Sequence, residues 1–157
     1  MSAAVSPRDA VPLELPYYGA SFATAFVRFW RKYAVFSGRA SRSEYWWWVL
    51  FSAIVGIAIE ALYVPSLLLR PRGGGFHLDA GIVVAAIVAS IWGLATIVPT
   101  LALVWRRLHD ANFSGAFWLF AFVPLVGWIV VLVLTLLPPN PAGVRFDRRE
   151  PAVTPPR

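Results

Sequence analysis

Two short polar knots carry the residue types from which chemistry can be built. The first is Arg39-Ala-Ser-Arg42-Ser-Glu44 and the second is Arg106-Arg107-Leu-His109-Asp110. A histidine beside an aspartate suggests a general acid–base pair. Neighbours on a helix point about 100° apart, however, so His109 and Asp110 are poorly placed to touch each other. The chain has no cysteine, which excludes disulfides, thiolate metal sites and cysteine catalysis. No serine sits in a nucleophile elbow. The two histidines, His77 and His109, fall in separate loops and cannot form a metal site alone. The expectation is therefore a protein with no catalytic residues, no metal and no cofactor, that is, not an enzyme.

What the knots can do is pair charges. If both lie on one face of a membrane, Arg39, Arg42 and Glu44 can meet Arg106, Arg107, His109 and Asp110. The expected pairs are Glu44 with Arg106, and Asp110 with Arg39 or Arg42, since charges at membrane depth need partners. Three readings stay open. The cluster is structural, or its surplus arginines hold an anionic lipid headgroup, or each knot works locally. Locally, Ser41-x-x-Glu44 has the spacing of a capping box, in which each residue serves the other's backbone amide. Asp110 or Ser114 would then cap the next helix. Glu60 stands apart as an acid within an apolar stretch. It is a candidate proton or cation site or a helix contact, unless the span ends early and the side chain reaches outward.

The elements that must position these residues are membrane spans. Hydrophobic residues make up 59% of the 157-residue chain and charged residues 14%, against roughly 25% charged in soluble domains. So small a polar fraction cannot coat a globule. Eight tryptophans and eleven phenylalanines suit interfacial belts. Apolar runs over about 45–69, 80–104 and 116–137 each reach the roughly 20 residues that cross a bilayer. Residues 20–36 repeat aromatics at three- and four-residue steps, with Arg28, Arg31 and Lys32 on the opposite side, as in an amphipathic helix lying in the interface. The fold class is an all-α membrane protein, with one N-terminal interfacial helix and three transmembrane helices. Ala86 with Ser90, and Ala89 with Gly93, supply small residues at helical spacing for close helix approach.

Residues 20–137 thus form a single membrane domain between disordered tails at 1–19 and 138–157. Residues 1–19 contain Arg8, Asp9 and Glu14 and no apolar core, so no cleavable signal peptide is expected. The basic cluster Arg28, Arg31, Lys32, Arg39 and Arg42 favours a cytoplasmic N-terminus. Three spans then put the C-terminal tail outside, which conflicts with Arg145, Arg148 and Arg149 in that tail.

Both knots extend into motifs that resemble one family. Phe36-Ser-Gly-Arg-Ala-Ser-Arg-Ser-Glu-Tyr-Trp46, followed after two apolar spans by Arg106-Arg-Leu-His-Asp110, Ser114-Gly115 and Val123-Pro-Leu-Val-Gly127, is similar to the bacterial inner-membrane family known as domain of unknown function 805. The resemblance covers about residues 22–140. It implies a small polytopic protein of the inner, or plasma, membrane and no activity. Ala116 stands where the family carries an aromatic residue, and 144–148 departs from its usual ending.

The net charge of +6 is explained by arginines beside apolar spans, so nucleic acid is not an expected partner. The expected role is a non-catalytic scaffold or regulator. Its basic juxtamembrane cluster meets anionic lipid headgroups or a membrane protein partner, which includes a second copy of the chain. The alternative is a subunit of an oligomeric small-solute or ion transporter or channel, with Glu60 or the arginines lining its path.

Overall fold

The computed structural model describes residues 11–68 and 80–147. The 70–79 loop with its arginines, residues 1–10 and residues 148–157 lie outside the described residues. Every described regular element is helical: α1 (Phe22–Arg31), α2 (Arg42–Leu68), α3 (Ala80–Asp110), a 3-10 helix (Gly115–Phe122), α4 (Gly127–Leu136) and a second 3-10 helix (Pro141–Phe146).

Local sequence explains the helix ends. The Ser21 side chain accepts from the Thr24 amide at 3.3 Å and starts α1. The capping box forms at the head of α2, where the Ser41 amide donates to Glu44 Oε2 at 2.9 Å and the Glu44 amide to Ser41 Oγ at 3.2 Å. The α3 helix runs unbroken through the second knot, which was expected as a loop. It stops where Asn112 takes φ of +67°. The Asn112 amide then donates to the His109 carbonyl and the Phe113 amide to the Leu108 carbonyl, both at 2.9 Å. That pairing is the Schellman arrangement, with asparagine in the left-handed position glycine usually takes.

Two helices, Arg42–Pro65 and Ala80–Asp110, are long and apolar enough to cross a membrane. Only 6% and 11% of their most apolar stretches are buried within the molecule, so neither is the core helix of a soluble domain. Side chains such as Ile57, Ile91 and Leu94 point outward along them, as lipid-facing residues do. The internal core is aromatic and lies near one end of this pair. Phe29 of α1 stacks on Trp48 of α2 with ring centroids 3.3 Å apart. Trp48 also stacks on Trp92 of α3 at 5.9 Å and donates its indole N–H to Thr100. Ala86, Ala89, Ser90 and Gly93 are exposed.

The third expected span is not one helix. Residues 116–137 as a straight α-helix would separate their ends by about 33 Å. Instead both ends lie beside the last turns of α3. Gly115 sits against the Trp105 indole, while the Thr135 carbonyl accepts from Arg107 Nε at 3.0 Å. The Asn140 amide donates to the Asp110 carbonyl at 2.8 Å. The chain leaves α3 and returns to the same place as a hairpin. Its arms have 8 and 10 residues, about 16 and 15 Å at the rises of the two helix types. The cause lies at the tip. Pro124 cannot continue the hydrogen-bond ladder, Leu125 adopts φ of +67°, and Gly127 lets the arms meet. A Cβ at Gly127 would lie 1.8 Å from the Phe120 carbonyl oxygen.

Parts of both expected tails are ordered. Residues 11–20 pack on α1 and the head of α2, and 138–147 pack on the end of α3. The reason is long-range anchoring, described below, which composition does not reveal.

Gly127→Ala is expected to lower the thermal stability of the detergent-purified protein by the equivalent of about 1–3 kcal/mol, since backbone blocks the added methyl. Gly56→Ala, with nothing within 4 Å of the added atom, is expected to leave stability unchanged or raise it. Circular-dichroism melting of the two variants checks this, and equal melting would contradict the hairpin turn.

Candidate functional site

The two knots do come together, along with α1, both chain ends and the hairpin's base. Most of the charged heads, however, are occupied by backbone carbonyls. The last carbonyls of a helix lack intrahelical partners, and arginine supplies a planar fork of donors for them. Arg106 reaches the end of α1, donating from Nη1 to the Lys32 carbonyl at 3.0 Å and to that of Val35. Arg107 reaches the end of α4, donating to the carbonyls of Thr135 and Leu137. Arg42 donates to the same Leu137 carbonyl at 2.9 Å. Three arginines from α2 and α3 thereby cap two other helices.

The carboxylates organise the rest. Glu44 does not pair with Arg106 as expected. Its Oε1 accepts from Arg28 Nε at 2.5 Å, because Arg28 faces inward on the stripe Ala25, Arg28, Phe29, Lys32. Arg28 and Lys32 are each 5% exposed, so the cationic side of α1 does not face solvent, and only Arg31 lies outward. The Arg28 fork extends to the carbonyls of Val11, Pro12, Leu13 and Leu15, which pins the N-terminal segment. Asp110 is wholly buried. It accepts from the Tyr18 hydroxyl at 2.6 Å and from Arg107 Nη1 at 2.8 Å, and it lies 3.8 Å from Arg39. Of its two expected partners, Arg39 is present, while Arg42 is committed to Leu137.

Arg39 also makes a two-point contact with Asp147, the closer at 2.7 Å. That bond holds the Arg39 guanidinium above its ordinary value. Burial, with the bond to Asp110 next in size, pushes the Tyr18 hydroxyl up to about 12. His109 is fixed twice over. Its Nδ1 lies 3.0 Å from the Gly38 carbonyl, and its ring stacks on Phe146 with centroids 4.0 Å apart and planes within 3°. A Cβ on Gly143 would lie 2.5 Å from the His109 carbonyl, so the C-terminal 3-10 helix presses directly on the end of α3. Glu60 is not part of this cluster. It is exposed on α2, about 24 Å beyond Glu44 along the helix axis.

Sequence reasoning missed Arg28, Tyr18, Phe146 and Asp147. The positions 25, 28, 29 and 32 form an i, i+3, i+4, i+7 stripe, which places Arg28 on the buried side of α1. For Tyr18 and Asp147 no local pattern exists.

No three or more His, Cys, Asp or Glu residues converge in metal-binding geometry among the described residues. The arrangement can lock backbone ends together and concentrate positive charge.

A protein built this way, with two apolar spans and an arginine-knitted junction at one end, is an integral membrane protein. The chain belongs to the family described as protein of unknown function (DUF805), which it matches over residues 33–148. It is 43% identical over 103 residues to the inner membrane protein YhaI of Escherichia coli K12, covering 66% of this chain and 75% of the relative. It is 29% identical over 121 residues to the inner membrane protein YhaH of the same strain, covering 77% and 91%. Neither the family description nor these names assign a catalytic activity. No solved structure matches the chain.

Removing one partner of a buried ion pair costs about 3–5 kcal/mol, because the other charge is left uncompensated. Glu44→Gln is therefore expected to destabilise strongly. The double variant Arg28→Met/Glu44→Gln should cost less than the sum of the two single changes. Additive effects in a thermal-melting double-mutant cycle would contradict direct pairing.

Proposed function

We propose that the chain is a non-catalytic inner-membrane protein that acts as a binding platform at the cytoplasmic membrane surface. It has α2 and α3 as transmembrane helices, a half-membrane hairpin over 115–137, and α1 along the interface. The names of the similar E. coli proteins support the inner membrane. The arms of the hairpin, each about half of the ~30 Å hydrocarbon layer, support two full crossings rather than three. Both described chain ends then belong to one face. Arg28, Arg31, Lys32, Arg39, Arg42, Arg106, Arg107 and Arg145 lie on that face, and the positive-inside rule makes it cytoplasmic. The basic C-terminal segment no longer conflicts with the basic N-terminal one.

The observation that carries the platform reading is the occupancy of the knot's functional groups. His109 is stacked and bonded, Asp110 is wholly buried among three partners, and the arginines hold carbonyls. What remains is charge. Among the described residues, the eight cations of that face stand against four carboxylates, Glu14, Glu44, Asp110 and Asp147. That leaves a surplus of four positive charges at a surface rich in anionic lipid.

The transporter reading keeps one supporting observation, the exposed acid Glu60 on a spanning helix. One experiment separates the two. The purified protein is reconstituted into phosphatidylglycerol-containing vesicles for flux assays. In parallel it is released from detergent for native mass spectrometry. Retention of phosphatidylglycerol in preference to phosphatidylcholine, with no proton or cation flux, is the expected result. Flux that Glu60→Gln abolishes would overturn it.

A further inference from the structure

Lys32 differs from the cations around it. It is 5% exposed, yet among the described residues its ammonium takes part in no hydrogen bond or ion pair, whereas Arg28, Arg39 and Arg107 each have a carboxylate and Arg106 has two carbonyls. Burial pushes it down to about 8, opposed by Glu44 and Glu14 and reinforced by Arg28 and Arg106. Enclosing a charge is costly, Glu44 and Glu14 offset that cost only in part, and a ligand that brings the opposite charge lowers it further.

The space beside it fits such a ligand. Lys32 lines a pocket of about 130 Å³ together with Arg31, Glu14, Ser37, Leu13 and Val35. That is well below the ~300 Å³ at which sites for drug-sized molecules begin, so it suits an ion or a small headgroup. Lys32 and Arg31 bring two positive charges and Glu14 one negative charge, which leaves a net charge of +1. The complement is a monoanion, and a dianion would meet Glu14 unfavourably. Leu13 and Val35 give apolar walls, as the carbon substituents of a diester require. Exposed Tyr33 and Phe36 follow in the same stretch of chain, the residue type that settles at headgroup level.

We propose that the Lys32 pocket binds a phosphodiester monoanion, with the Lys32 ammonium as its charge partner and the Arg31 guanidinium closing over it from the rim. This deepens the platform reading and rests on it, and it moves the anion site away from Arg107, whose donors hold the Thr135 and Leu137 carbonyls and Asp110, and from Arg106, whose Nη1 holds two carbonyls and whose unpartnered Nε is buried out of reach of a ligand. A phosphodiester reaches the site either as the headgroup of an anionic phospholipid or as a soluble ester.

The test compares the full chain with Lys32→Gln, Lys32→Arg, Val35→Trp and Arg145→Gln in nonionic detergent. Each is titrated with dioctanoyl phosphatidylglycerol, dioctanoyl phosphatidylcholine and dimethyl phosphate, and ligand-induced thermal stabilisation is read. Lys32→Gln removes a strained charge and is expected to fold at least as stably as the parent without ligand. Val35→Trp fills the pocket with Lys32 intact. The expected result is phosphatidylglycerol bound at least tenfold more tightly than phosphatidylcholine by the parent, Lys32→Arg and Arg145→Gln. The preference should be lost in Lys32→Gln and in Val35→Trp. Equal protection by dimethyl phosphate assigns a soluble ester as the source, and protection by the lipid alone assigns the membrane. A preference for phosphatidylglycerol that survives both Lys32→Gln and Val35→Trp overturns the pocket and leaves the platform standing. No preference in the parent overturns both.

Discussion

A helix that ends near the edge of a bilayer must satisfy its last carbonyls where water is scarce, and the rest of this structure depends on how that is done. The solution is borrowed donors. Arg106 and Arg107, adjacent on α3, point to opposite sides and close the ends of α1 and α4 respectively. The carbonyls of Arg106 and Asp110 in turn accept from the amides of Ala40 and Asn140. The last turns of α3 therefore bind the head of α2, the end of α1, the base of the hairpin and the C-terminal segment through both side chains and backbone. Lysine at these positions would offer one point charge in place of a fork that spans two carbonyls.

Charge placement follows from that choice. Arginines buried for their hydrogen-bonding geometry bring positive charge with them, and Glu44 and Asp110 enter the same region as counterions. Each does more than neutralise. Glu44 closes the capping box of α2 and holds Arg28, while Asp110 holds Arg107, Arg39 and Tyr18. Neither carboxylate is free, and the adjacent His109 and Asp110 turn to different partners, His109 to Gly38 and Asp110 to Tyr18 and Arg107. Lys32 is buried in the same region, and among the described residues its ammonium has no ion pair with either carboxylate.

Much of this was legible in the sequence. Ser41-x-x-Glu44 announced its capping box, the runs around α2 and α3 announced their spans, and the two motifs identified the family. The meeting of the knots was expected on the condition that both lie on one membrane face, and Arg39 was one of the two partners expected for Asp110. The hairpin was not legible as such. Residues 116–137 are apolar throughout and of spanning length, so composition favours a crossing, and only Pro124 and Gly127 mark the turn. The inward face of Arg28 was obscured because charge suggests solvent, although its stripe with Ala25 and Phe29 argues otherwise. The ordered parts of the tails depend on partners far away in sequence, such as Arg28 with Leu15 and Arg39 with Asp147. No local pattern encodes those contacts.

The central claim is that both described ends of the chain meet at one face on the end of α3. The absence of native cysteines makes it directly measurable by pulsed electron paramagnetic resonance between spin labels at Phe36→Cys and Val144→Cys, both exposed positions. The Gly38 amide donates to the Phe146 carbonyl at 2.9 Å, so two residues of chain on either side keep the labelled backbone sites within about 20 Å. A single short distance distribution in lipid nanodiscs is the predicted result. A distribution centred beyond the ~30 Å hydrocarbon thickness would mean that residues 116–137 cross the membrane, and it would contradict the account.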